Sequence, residues 1–141
     1  MINMIQPSAE TENEFVKSQL IQYNLHHVPA AKEKPYQLIG YHIKDEAGTI
    51  IGGICGVLYW GRTCLQIDIL WLHESYRKQG LGSALLRRIE QEAVAREVHL
   101  AHLETFDFQA KDFYIKNGYE VFGVLEDCPI GHERYYLKKK L

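Results

Sequence analysis

Residues 36 to 72 hold three runs rich in β-branched and aromatic residues, YQLIGYHIK, TIIGGICGVLYW and TCLQIDILWL, separated only by Asp45-Glu46-Ala47-Gly48 and Gly61-Arg62. Connections this short make successive strands fold back on one another, so the segment predicts an antiparallel meander. The period then changes. Leu81, Ala84, Leu85, Ile89 and Ala93 fall on one helical face. Arg87, Arg88, Glu90, Gln91 and Arg96 fall largely off it, which predicts an amphipathic helix with one side on the sheet.

The rest of the order follows from the same reading. Val98 to Thr105 alternates as a strand reached through a helical crossover, and so runs parallel to the strand before that helix. Gln109 to Lys116 reads as a short helix ended by Asn117-Gly118. Tyr119 to Leu125 and Arg134 to Leu141 read as two last strands around the turn-rich 126–132 segment. Upstream, Ser8 or Thr11 caps a helix through Phe15, Leu20 and Ile21, with Glu12 and Glu14 near its positive end. Tyr23 to Pro35, broken by two prolines, reads as a loop with a short helical turn. The chain is expected to be an α/β domain with a mixed, mostly antiparallel sheet of six to seven strands. With 141 residues and no repeat or linker, one domain over 1–141 is expected, burying about two thirds of the unfolded surface.

Net charge is −2, with 24% charged residues, which argues against a nucleic-acid footprint. MINMIQPSAETENEF lacks a basic region followed by an apolar run, and no segment reaches the roughly 18 apolar residues of a membrane span, so a cytoplasmic location without membrane contact is expected. Cys55, Cys64 and Cys128 form no C-x-x-C pair and are odd in number, against a disulfide framework. Cys55 and Cys64 read as core residues. His99 and His102 are three apart on one strand and face opposite sides, so they cannot share a metal, and none is expected. Lys138-Lys139-Lys140 reads as a solvated end.

One short stretch carries chemistry: YRKQGLGSALL, Tyr76 to Leu86, between a strand and a helix. Backbone N–H groups at a helix start lack helical partners and have the positive end of the dipole behind them. Glycine lets an anion approach them closely, and Arg77 and Lys78 add charge. The Rossmann spelling fails at Leu85 and after antiparallel hairpins, and the P-loop spelling is absent.

Arg77, Gly80 and Gly82 spell R-x-x-G-x-G, which resembles the pyrophosphate loop of the GNAT superfamily of N-acetyltransferases. Leu70-Trp71-Leu72 before it and Phe113-Tyr114-Ile115-Lys116-Asn117-Gly118-Tyr119 after it match the family's flanking blocks. The order of elements agrees over roughly residues 36 to 141. The resemblance implies helices on both faces of the sheet and a splayed strand pair. It also implies acetyl-CoA as co-substrate, its pyrophosphate on Arg77, Lys78, Gln79, Gly80, Gly82 and Ser83 and its pantetheine along Leu70, Trp71 and Leu72. Asp107 stands where many relatives have a cofactor-binding asparagine, and its charge would repel a nearby pyrophosphate. Gln109 is the substitute.

By the same resemblance Tyr114 protonates the departing thiolate; without it, Tyr114 reads as a core aromatic. Asp68 is the candidate base. Strict alternation puts Gln66, Asp68, Leu70 and Leu72 on one face, and apolar neighbours would raise the Asp68 pKa by desolvation. It reads equally as a structural aspartate bonded to loop amides or Arg62. Glu104 is the reserve base. His26, His27 and His132 read as exposed loop histidines or substrate contacts.

The function expected is acetyl transfer to a primary amine by direct attack in a ternary complex. A backbone N–H near Leu72 would polarise the thioester carbonyl. The rival readings are a non-catalytic acyl-CoA sensor with the same fold, and a nucleotide-binding module. The acceptor, a small-molecule or peptide amine, would sit among the N-terminal helix, the Tyr59-Trp60-Gly61-Arg62 turn and the 126–133 loop. Relatives are often dimers, so a homodimer is a further expectation.

Overall fold

The computed structural model describes residues 5–28, 36–59 and 63–141. Helix α1 (Glu10–His27) precedes strands β1 (Tyr36–Lys44), β2 (Ile50–Tyr59) and β3 (Cys64–Leu72). After a turn of 3-10 helix at Glu74–Tyr76 come α2 (Leu81–Ala95), β4 (Leu100–Phe106), α3 (Lys111–Lys116), β5 (Glu120–Glu126) and β6 (Glu133–Lys140). The strands form one sheet in the order β1-β2-β3-β4-β6-β5. Among the described residues only β3 and β4 are parallel, as a strand–helix–strand crossover requires.

Six strands lie within the expected six to seven, and the meander and crossover fall where periodicity puts them. The N-terminal segment differs. Helix α1 runs through His27, so Tyr23, Asn24, His26 and His27 are helical rather than loop. Its N-cap is Ala9, neither Ser8 nor Thr11; Glu12 reaches back to the Ala9 N–H at 2.5 Å and satisfies one of the free donors. Residues 29–35 of the expected loop lie outside the described residues.

Helix α2 buries Leu85, Leu86, Ile89 and Ala93. They close a core with Ile54, Leu58, Leu65, Ile67, Ala101, Leu103 and Leu137 from the sheet below. On the opposite face Lys17 of α1 sits 5.7 Å above the ring of Tyr36. Two residues read as solvated, Glu90 and the half-buried Lys139, pair with each other. Glu90 is buried and meets Lys139 Nζ at 2.6 Å, fastening α2 to β6. A carboxylate leaves water only with a partner, and Lys139 supplies it. Conversely, Cys55 is exposed rather than in the core.

Candidate active site

The site is built on the place where the parallel strands part. β3 and β4 pair only over Cys64–Ile67 against Leu100–Leu103. Beyond them the β4-facing edge of Asp68 to Leu72 has no strand partner among the described residues, while the other edge stays paired with β2 through Leu70↔Ile54, Trp71↔Gly53 and Leu72↔Gly52. A row of backbone N–H and C=O groups therefore faces an opening.

The parting begins at a bulge. Cys55 pairs with Ile69 and Gly56 with Ile67, leaving Asp68 without a cross-strand partner. The cause is local: a Cβ on Gly56 would stand 2.3 Å from the carbonyl oxygen of Gln66, so β3 can press in here only against glycine. An extra residue flips the alternation that follows it. Leu70 joins Leu65 and Ile67 on the α2 face and packs on the core, while Ile69 and Trp71 are exposed on the other. The expected grouping of Asp68 with Leu70 and Leu72 on one face is thus corrected.

Asp68 is exposed, not enclosed by apolar neighbours. It accepts a hydrogen bond of 3.0 Å from Gln66 Nε2, which aims one carboxylate oxygen. Arg62, its alternative partner, lies outside the described residues, as do Trp60 and Gly61. Glu104 is committed to an ion pair with Arg134. His102, beside Gln66 in the register, is half-buried; burial lowers its pKa against the opposing pull of Asp68 and Glu104, so it stays neutral near pH 7.

A cavity of about 930 Å³ runs through the opening. From the α2 side it is lined by Leu72, Arg77, Lys78, Gly80, Gly82 and Ser83, with Phe113 and Tyr114 of α3 beneath. From the other side Asp68, Ile69, Trp71 and Glu104 reach it. Tyr114 is buried, and burial pushes its phenol up to about 12. It therefore keeps its proton throughout the physiological range.

Two expected ligand residues stand apart. Gln79 does not line the cavity, and its side-chain amide points to the Ser75 carbonyl at 3.5 Å. Asp107 is also absent from the lining. Its Oδ2 accepts the Glu133 N–H at 3.0 Å and its Oδ1 lies 2.8 Å from His132 Nδ1, so it holds the β5–β6 loop. The Glu133 N–H first, and His132 next among the favourable contacts, lower the Asp107 pKa. Gln109, two residues further on, does line the cavity. It also accepts from Thr105 Oγ1 and the Phe106 N–H.

The loop suits an anion. Gly80 has φ +78°, and a Cβ there would meet nothing within 4 Å, so the space over the loop is open. The first helical N–H to find an intrahelical acceptor is that of Ala84, on Gly80 at 3.0 Å, which leaves those of Leu81, Gly82 and Ser83, residues that line the cavity, without one. Lys78 takes φ +62°, unusual without glycine. Arg77 does more than add charge: its Nε donates to the Leu72 carbonyl at 3.0 Å, tying the loop to the end of β3. Gln66 and Gly56 escaped the sequence reading. A glycine inside an apolar strand is the one available signal, since it marks bulges and close backbone approach.

Among the described residues no group of side chains is arranged to hold a metal, and no helix is long and apolar enough to cross a membrane. Residues 4–119 match the model of the acetyltransferase (GNAT) family. The chain is 34% identical to a blasticidin-S acetyltransferase of Streptomyces morookaense, over 83% of this chain and 85% of that one. It superposes on the crystal structure of an acetyltransferase from Bacillus cereus with a TM-score of 0.90, at 38% identity over 99% and 98% of the two chains. An Agrobacterium tumefaciens structure described as an acetyltransferase gives 0.82 at 24% identity, with both chains fully covered.

Proposed function

The chain belongs to the acetyltransferase (GNAT) family and is an acetyl-CoA-dependent N-acetyltransferase, and from that premise we propose that it acetylates a small-molecule primary amine by direct attack within a ternary complex. The observation that carries this reading is a continuous cavity passing between β3 and β4, with the glycine loop at one mouth and carboxylates at the other. Two reactants can enter from opposite faces and meet at the parting of the strands. The name of the blasticidin-S relative supports a small acceptor.

Acetyl-CoA would bring the acetyl group already activated as a thioester. The N–H groups from Leu81 to Ser83, with Lys78, would hold its pyrophosphate. The free edge of Leu70 to Leu72 offers backbone partners to its amides, and an N–H of that edge would polarise the thioester carbonyl. Asp68, aimed by Gln66, takes a proton from the incoming ammonium, directly or through water, freeing the nitrogen lone pair. Tyr114, still protonated, donates to the sulfur as it leaves, and the second proton that the nitrogen sheds on becoming an amide restores the phenol through water. Holding both reactants in line supplies much of the acceleration.

Initial rates over a grid of amine and acetyl-CoA concentrations test the ternary complex. Intersecting double-reciprocal lines support it, and parallel lines, the signature of a covalent acetyl-enzyme, would overturn it.

A further inference from the structure

The face of the sheet opposite α2 carries a second depression, of about 370 Å³. Its floor is two cross-strand rows, His42–Gly53–Trp71 and Gly40–Cys55–Ile69. Gly53 at the centre of the first row leaves bare backbone between the imidazole of His42 and the indole of Trp71; a Cβ there would stand 3.1 Å from the Tyr41 carbonyl oxygen and 3.6 Å from His42 Cβ. Side chains two strands apart in one row rise about 9–10 Å from each other. A planar ring touching a neighbour on each face fills about 7–8 Å of that gap. A flat ring fits such a slot, and a branched aliphatic group fits it poorly.

The slot is continuous with the reaction cleft, because Ile69 and Trp71 line both. Trp71 is 48% exposed, so its ring is available to a ligand. The carboxylate of Asp68 stands at the cleft end and favours a cation there, whereas Glu104 beside it is already paired with Arg134. Resting on the acetyl-transfer reading above, we propose that the slot holds the planar aromatic part of a ring-bearing primary amine, its ring between Trp71 and His42 over Gly53, and its ammonium reaching Asp68. Ring stacking then selects the acceptor, while Asp68 acts on the nitrogen of any amine that enters.

Matched amines test this: tryptamine and histamine against butylamine, with the wild type, Gly53→Val and His42→Ala. The wild type is expected to favour the ring-bearing amines in kcat/KM by at least about tenfold. Both variants should lose that preference while keeping butylamine turnover and acetyl-CoA binding; His42 is exposed, so its variant keeps the test open if Gly53→Val fails to fold. No preference in the wild type, or a preference that survives in His42→Ala, would overturn the slot. So would a change in sedimentation of His42→Ala in place of a change in preference, since a second copy would then be the occupant. The Trp71 indole N–H resonance, assigned with Trp71→Phe, reads the slot without catalysis. If no amine is acetylated yet tryptamine shifts that resonance, the slot stands and the acetyl-transfer reading falls; if tryptamine leaves it unmoved, the slot falls.

Discussion

Gly56 lies so close to Gln66 across the β2–β3 ladder that a Cβ on it would stand 2.3 Å from the Gln66 carbonyl oxygen. That contact is backbone on backbone and cannot be relieved by rotating a side chain. It is what lets β3 bulge at Asp68, turn Leu70 to the core and part from β4. Gly56→Ala is expected to cost about 1–3 kcal/mol by overpacking and to remove most activity, measured by chemical denaturation and turnover together. A fully active, equally stable variant would show that the bulge does not need glycine.

Asp68→Asn should lower kcat by about 10²-fold or more with little change in melting temperature, because the side chain is exposed and the change is catalytic. Gln66→Leu, which removes only the aiming hydrogen bond, should give a smaller loss in the same direction. Steady-state kinetics and thermal melts on the two variants check both statements.

The Tyr114 phenol is buried and raised to about 12. Its protonated form is thus favoured by folding: the contribution to stability is complete below the ordinary value of about 10 and is lost as pH rises from there through the folded value of about 12. The activity profile should accordingly show no alkaline limb near pH 10 from this group. Tyr114→Phe should lower kcat at least about tenfold at every pH without adding such a limb.

Gly82 faces Phe113, and a Cβ on it would touch that ring at an ordinary 3.4 Å. Gly82→Ala should therefore melt like the wild type when unliganded. Acetyl-CoA at about 100 times its dissociation constant stabilises a protein by roughly 2.7 kcal/mol, and this gain should shrink in the variant as the new methyl crowds the loop. Gly80→Val differs, since φ +78° strains a β-branched residue by about 1–3 kcal/mol even without ligand.

The Asp107 carboxylate, held below its usual pKa first by the Glu133 N–H, keeps the β5–β6 loop on the end of β4. That hold is complete above the ordinary carboxylate range and is lost as pH falls through the lowered value. Asp107→Ala should raise the KM for the amine severalfold and leave that for acetyl-CoA unchanged. Faster amide exchange at Glu133 in the variant would show that the loop itself has been released.

What could be read from the chain was local. The strands 36–72, the helix of Leu85 to Ala93 and the glycine loop each announce themselves through a period or a turn within a dozen residues. The bulge could not be read that way, because alternation along TCLQIDILWL is blind to the register that β2 imposes. Cys55 looked like core because an apolar strand does not say which of its faces is covered. Glu90 with Lys139 and Asp107 with His132 are partners 49 and 25 positions apart, brought together only by the fold. Gln66 is different: alternation already placed it beside Asp68, but a shared face does not say that one side chain donates to the other.

The most direct test of acetyl transfer through this cleft is to count products. Purified protein with acetyl-CoA and a panel of small primary amines should release free thiol and form acetylated amine one for one, both falling together in Asp68→Asn. Acetyl-CoA that raises the melting temperature while neither product appears with any amine, or thiol released without acetylated amine, would contradict it.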